Sequence, residues 1–398
     1  MGGNMADPGA LRKESFAKLY SRPSGPYLER SVSDNKNKRV VVGMSGGVDS
    51  STAAALLVEQ GYEVIGITFK MWQEACEDRE TERCCGPQGV ADAREVCRRL
   101  GVSHYVVNDV EDFRREVVEY FAAEYRAGRT PNPCVMCNEK VKFGTLMRRA
   151  DQLGAHYVAT GHYAGTAQSA DGGRTLLKRG SDRRKDQSYF LFSLRQAQLS
   201  RALLPLGDLT KQQTRDKARA LGLKTADKKE SMEICFVPND DYGQFLAKTG
   251  LGRSLPGEIT DREGKVLGKH EGIEFFTIGQ RRGLKLSQPT PLYVVDLDPA
   301  QNRVVVGNPR DLECDELTVE RCNWIALENL EGPTEVLAKI RYNHPGASAT
   351  VRPLGRDRAR VKFAIPQRAI APGQACVFYQ DDLVLGGGWI VKEPLPEA

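Results

Sequence analysis

The chain has 398 residues, with 57 Lys and Arg against 52 Asp and Glu, a formal charge of +5. That length leaves room for two or three domains with ample cores, and the mild basic excess suits a nucleic-acid partner without requiring one. No apolar run reaches the ~18 residues of a membrane-spanning helix, which sets aside a helical membrane protein and a membrane partner.

Residues 1–37 carry Gly, Pro, Ser and scattered charge with no apolar h-region, and read as a disordered N-terminal extension rather than a secretory signal. Val40-Val41-Val42 then reads as a buried strand feeding a Gly/Ser turn, Gly43-Met44-Ser45-Gly46-Gly47-Val48-Asp49-Ser50-Ser51, that opens onto a helix near Asp49. Gly46 and Gly47 permit close backbone approach, while Ser45, Ser50, Ser51 and the first helical N–H groups offer donors. Such a turn is an anion site. The lysine of a Walker-type loop is absent. Asp49 has two readings, a metal ligand or a helix cap.

Tyr62 to Phe69 is a second near-continuous apolar strand, as a parallel sheet covered on both faces requires. Val90, Ala93, Cys97 and Leu100 share a helical face, and His104 to Val107 is a third strand. Helices follow from Val110 to about Ala127 and from about Lys140 to Leu153, before a strand over His156 to Thr160 that ends at Gly161-His162. The alternation predicts a doubly wound parallel α/β domain over 38–240, with ligands at the carboxyl ends of its strands. Residues 43–51, Phe69 and Gly161-His162 all lie at those ends. Beyond Cys235, glycines punctuate short alternating stretches, predicting a small central β-rich domain over 241–310 and a C-terminal β-barrel over 311–398.

Ten cysteines in a chain without a signal point to reduced, cytoplasmic thiols rather than a disulfide framework. Thr130-Pro131-Asn132-Pro133-Cys134-Val135-Met136-Cys137-Asn138 places a Cys-x-x-Cys in a proline-stiffened loop, either half of a zinc site or a reactive pair. Cys235, in Glu230-Ser231-Met232-Glu233-Ile234-Cys235-Phe236, is a core thiol or a third member of that site. Cys97 reads as core, Cys314, Cys322 and Cys376 as structural, and Cys84 and Cys85 as loop thiols. The run from Lys178 to Lys185, followed by Gln187, Tyr189 and Phe190, fits phosphate contacts beside an aromatic cluster or a solvated loop before a buried helix. At this level an enzyme acting on RNA, a synthetase of a small molecule and a zinc-stabilised RNA-binding protein all stay open.

Ser-Gly-Gly-x-Asp-Ser after an apolar strand resembles the PP-loop of ATP pyrophosphatases, which cleave ATP between the α and β phosphates. From Lys38 onward the ordered set of motifs resembles one PP-loop family, the tRNA-specific 2-thiouridylases. The set comprises the turn, Asn132-Pro133 with Cys137-Asn138 and Lys142-Phe143, Ala159 to Tyr163, Lys185 to Leu191, Ser231 to Phe236, Thr277 to Gln280 and Arg341-Tyr342. The resemblance implies an enzyme that thiolates C2 of the wobble uridine through an adenylated tRNA, releasing AMP and pyrophosphate. It implies ATP and Mg²⁺ as cofactors, with tRNA and a sulfur-donor protein (a cysteine desulfurase or relay) as partners. Cys137 would be the nucleophile-type cysteine and Cys235 the persulfide carrier. Gly43, Met44, Ser45, Gly46, Gly47, Val48, Asp49, Ser50, Phe69 and Gly161 would contact ATP. Asn132, Pro133 and Cys134 would touch the target base, and His162, Lys185, Asp186, Gln187, Arg341, Tyr342 and Gln374 the tRNA. One departure opens a second sulfur route. Many members have Asp where this chain has Cys134, so Cys134, Cys137 and Cys235 could ligate a [4Fe–4S] cluster in place of a persulfide resolved by a Cys137–Cys235 disulfide.

Overall fold

The computed structural model describes residues 35–71, 86–228, 234–238 and 241–392. The N-terminal extension up to residue 34, Cys76, Cys84, Cys85 and Ser231 to Glu233 lie outside the described residues.

In chain order the first strands are β1 (Arg39–Gly43), β2 (Glu63–Lys70), β3 (Ser103–Asn108), β4 (Tyr157–Ala159), β5 (Ala164–Gln168), β6 (Thr175–Arg179) and β7 (Ala202–Leu203). Five of them form a parallel sheet in the order β3-β2-β1-β4-β7. Val40, Val41 and Val42 are wholly buried, as a central strand covered on both faces must be. The strand order turns back between β1 and β4, which opens a crevice at their carboxyl ends. Helix α1 (Val48–Glu59) leaves β1 directly, and α2 (Pro87–Leu100) precedes β3.

Two helices carry π turns. α3 spans 110–126, with its middle, Arg114–Glu119, wound as π. α4 spans 133–152 and begins seven residues before the start expected at Lys140, with Cys137–Thr145 as π. Asn132 sets the earlier start, because its side chain accepts from the Val135 N–H at 3.3 Å and Pro133 occupies the first helical position. Gln198 reaches into the π segment, donating to the carbonyls of Glu139 (3.2 Å) and Phe143 (2.8 Å). A side chain inserted into the backbone ladder is a recognised cause of such irregular winding.

The central sheet contains β8 (Gly257–Thr260), β9 (Val266–His270), β10 (Tyr293–Asp298) and β11 (Arg303–Gly307), in the order β10-β11-β8-β9. The last strands are β12 (Glu313–Trp324), β13 (Thr334–Lys339), β14 (Ala347–Pro353), β15 (Ala359–Arg368), β16 (Ala375–Gln380) and β17 (Leu383–Val391). β12 pairs with both β15 and β17, closing a six-stranded antiparallel barrel. The hairpin β5–β6 was not foreseen. It comes from the first 240 residues yet joins the barrel's sheet, with Leu177 and Lys178 opposite Val384 and Leu383 of β17.

Candidate nucleotide and thiol site

The turn after β1 is held by its own hydroxyls. The Ser45 N–H donates to Ser50 Oγ at 3.2 Å, the two hydroxyls lie 3.1 Å apart, and the Ser50 and Ser51 hydroxyls donate to the Gly47 carbonyl at 3.2 and 2.8 Å. Gly46 has φ +72°, and a Cβ there would sit 2.2 Å from the Gly89 carbonyl oxygen at the start of α2. Gly161 lies against the first turn of α1, where a Cβ would come within 2.6–2.9 Å of the Asp49 and Ser50 backbone. These contacts explain glycine at both positions. Between them opens a cleft of about 780 Å³, mouth included, lined by Gly43, Met44, Ser45, Asp49, Ser50, Phe69 and Gly161 among others. Val48, expected at the nucleotide, instead turns into the core with Val40, Val42 and Ala54.

Among the described residues Asp49 is the only acidic one lining the cleft, and its carboxylate is already engaged. The Lys211 ammonium donates to both oxygens, at 2.8 and 2.9 Å, and the Tyr163 hydroxyl donates to Oδ1 at 2.8 Å. Lys211 is the first residue of α5 (Lys211–Ala220), behind a Thr210/Gln213 capping box. A dication on Asp49 would stand beside that ammonium, so the metal-ligand reading of Asp49 does not fit this arrangement. A second lysine, Lys228, pairs with Asp92 at 2.6 Å and donates to the Gly46 carbonyl at 3.4 Å.

The cleft's other wall leads to the thiols. Lys142 and Leu146 of α4 line it together with Thr160, His162 and Gln187. Cys134 and Cys137 stand on the first turn of the same helix. Burial pushes the Cys134 thiol up to about 11, while Lys142 pulls it back. Cys137 is raised by burial and by the buried carboxylate of Asp109, again against Lys142. His162 is held neutral, well below its ordinary value, by burial and by the same lysine, and its Nδ1 lies 2.7 Å from the Thr160 hydroxyl. One ammonium therefore acts on both thiols and on the cleft's imidazole.

Cys235 packs, partly buried, against the apolar cluster that contains Cys137, and no disulfide joins the seven described cysteines. Among the described residues no three Cys, His, Asp or Glu side chains gather as a metal-holding group. The described residues thus present no assembled donor set for the [4Fe–4S] cluster on Cys134, Cys137 and Cys235 or for a zinc site. Cys97 and Cys376 are core residues, Cys322 packs against the barrel core, and Cys314 is exposed.

Comparison with known proteins agrees along the whole described chain. Residues 38–239 match a family model described as tRNA methyl transferase HUP domain, 243–308 its PRC-barrel domain, and 314–390 an aminomethyltransferase beta-barrel domain. The tRNA-specific 2-thiouridylase MnmA 1 of Caldanaerobacter subterraneus subsp. tengcongensis is 50% identical over 359 residues, 90% of this chain and 99% of that protein. The chain belongs to the tRNA-specific 2-thiouridylase family. The enzymes of that name from Clostridium perfringens (49% over 354 residues, 89% of this chain and 98% of theirs) and Geotalea uraniireducens (50% over 364 residues, 90% and 96%) agree.

The positions that the 2-thiouridylase resemblance assigned to tRNA differ in exposure and in what they hold. Arg341 is exposed and Lys185 half-buried. Asp186 is buried, and its carboxylate accepts from Arg179 Nε (3.0 Å) and from the Gly180 and Ser188 N–H groups (3.1 Å each), so it fastens its own loop. Gln187 lines the cleft and accepts from the Tyr163 N–H at 3.0 Å. Gln374 spends its amide on the carbonyls of Thr130 (3.2 Å) and Pro131 (2.9 Å), clamping the cysteine loop to the barrel. The Asn132 side chain caps α4 and Pro133 is buried. Tyr342 packs on Phe190 with ring centroids 4.4 Å apart, and Lys339 lies over it at 5.7 Å. Lys211 and Lys228 were missed, because each reaches the turn from far along the chain and carries no local signature, while Tyr163 stood in the Ala159 to Tyr163 motif without an assigned role.

Proposed function

We propose that this enzyme is an ATP-dependent tRNA sulfurtransferase that converts C2 of a wobble uridine to the thiocarbonyl. The observation that carries the reading is that α4 bears the Cys134–Cys137 pair at its start and a wall of the nucleotide cleft in its middle, with Lys142 acting on both. Adenylation chemistry and sulfur chemistry therefore share one helix. The family models are named for methyl transfer and the relatives for thiolation. Paired thiols beside a phosphate-cradling turn favour thiolation.

Mg²⁺ enters with the nucleotide as Mg·ATP. The uracil O2 attacks the α-phosphate and pyrophosphate leaves into the turn, where Ser45, Ser50 and the α1 N-terminus face it. The terminal sulfur of a Cys235 persulfide then attacks C2, and AMP departs with the former carbonyl oxygen. Cys137, as thiolate, attacks the Cys235 sulfur, forming a Cys137–Cys235 disulfide and releasing the thiolated base. A thiol reductant restores both cysteines. A sulfur-donor protein supplies the persulfide sulfur. Lys142 favours the thiolate form that nucleophilic sulfur requires.

The test is thiolation of a tRNA transcript bearing a wobble uridine, with Mg·ATP and a cysteine-desulfurase sulfur source, read by nucleoside mass spectrometry. Cys137→Ser and Cys235→Ser should each abolish 2-thiouridine while leaving tRNA-dependent pyrophosphate release in place. Normal thiolation by either variant would overturn the persulfide route.

A further inference from the structure

A PP-loop must hold a polyanion, yet this one carries a carboxylate in the first turn of its helix. Asp49 lines the cleft beside Ser45 and Ser50, the same two hydroxyls that organise the turn. An ionised side chain there is welcome to the helix end but repels the phosphates the turn is built to receive. The structure answers with Lys211. Its ammonium bridges both oxygens of Asp49 at 2.8 and 2.9 Å, while the Tyr163 hydroxyl fixes Oδ1 from the other side at 2.8 Å.

The arrangement is built into the fold. The Lys211 side chain is only 11% exposed and its Nζ lies 5.6 Å from the centre of the Tyr163 ring, so it is packed along its length. The capping box of Thr210 and Gln213 fixes the start of α5, and the Lys211 N–H donates to Asp182 Oδ2 at 3.1 Å. Gly161, two residues before Tyr163, seats that segment against the Asp49 backbone. Two separate stretches of chain thus converge on one carboxylate.

We infer that Lys211 is a positioning residue that neutralises Asp49, so that the PP-loop accepts the β and γ phosphates of ATP without a resident metal on that carboxylate. The inference rests on the reading of the cleft as the ATP site. It places α5 in the role that a local lysine fills in a Walker-type loop, with the difference that this cation acts through Asp49.

The experiment compares ATP and AMP binding, by calorimetry in the presence of Mg²⁺, for the full-length chain and four variants. Lys211→Met should weaken ATP by about tenfold or more, since an unscreened carboxylate then faces the triphosphate, and change AMP affinity by no more than about twofold. Lys211→Arg should recover most of the loss. Asp49→Asn in the Lys211→Met background should restore ATP affinity, because the repelling charge is gone. Asp49→Asn alone should bind ATP more tightly than the parent, since the Lys211 ammonium then faces the triphosphate unopposed. A merely structural role would lower the unfolding midpoint and weaken both nucleotides alike. Equal losses for ATP and AMP, a double variant as weak as Lys211→Met, or an Asp49→Asn chain that loses ATP would each overturn the inference, the last by making Asp49 a ligand of the nucleotide's metal. A parent chain that binds no ATP would instead overturn the reading of the cleft, and the inference with it.

Discussion

The nucleotide turn, which follows β1, and the cysteine loop, which joins α3 to α4, are built in opposite ways. The turn is one contiguous stretch of nine residues whose donors are already ordered by its own serines. The cysteine loop is assembled from distant parts: Gln374 clamps Thr130 and Pro131, the Pro372 carbonyl accepts from the Thr130 N–H at 2.7 Å, and Asn138 donates to the Phe190 carbonyl at 3.2 Å. Its thiols are masked as well, both raised by burial. The contrast teaches that a phosphate site can be local, because backbone N–H groups and hydroxyls need no partner to be useful. A sulfur nucleophile must be shielded until its substrate is in place.

The largest effect expected from this contrast is in thiol reactivity. Because folding raises both thiols above their ordinary value, they are protonated near neutral pH, and their alkylation should rise about tenfold per pH unit below that raised value. Peptide mass spectrometry after timed iodoacetamide labelling checks this, and a half-maximal rate for Cys134 at or below the ordinary thiol range would break the contrast. Next comes Gly161→Ala, which drives a methyl into the Asp49 and Ser50 backbone. It should cost about 1–3 kcal/mol of stability by overpacking and weaken ATP while sparing the alkylation profile of Cys134 and Cys137. Denaturant unfolding and nucleotide titration measure the two halves. The smallest is Gln374→Ala. Losing its two hydrogen bonds should cost about 1–2 kcal/mol and loosen the cysteine loop, lowering thiolation with ATP affinity intact. A matching loss of ATP affinity would show that the two regions are one.

The parallel α/β domain and the closed barrel were legible because buried strands and glycine-spaced hairpins declare themselves locally. Seven of the ten residues assigned to the nucleotide line the cleft, for the same reason that the turn is contiguous. Val48 and Asp186 show how a motif can hold residues whose side chains turn away from the cleft. Each stands within a functional motif, but its side chain faces inward to the core or to its own loop. Lys211 could not be read at all, since it meets Asp49 from 162 residues away. The π winding of α4 was equally hidden, being tied to Gln198, 55 residues past the nearer carbonyl it holds. Pairings of that kind belong to packing, and periodicity does not encode them.

β17 is the last described strand, and it closes the barrel against β12, carries the β5–β6 hairpin and exchanges hydrogen bonds with the backbone at Gly373 and Gln374. Since Gln374 holds the cysteine loop, the geometry around the thiols depends on β17, far along the chain from them. A ribosome that has delivered the α/β domain has delivered a nucleotide turn, but not yet a settled cysteine loop.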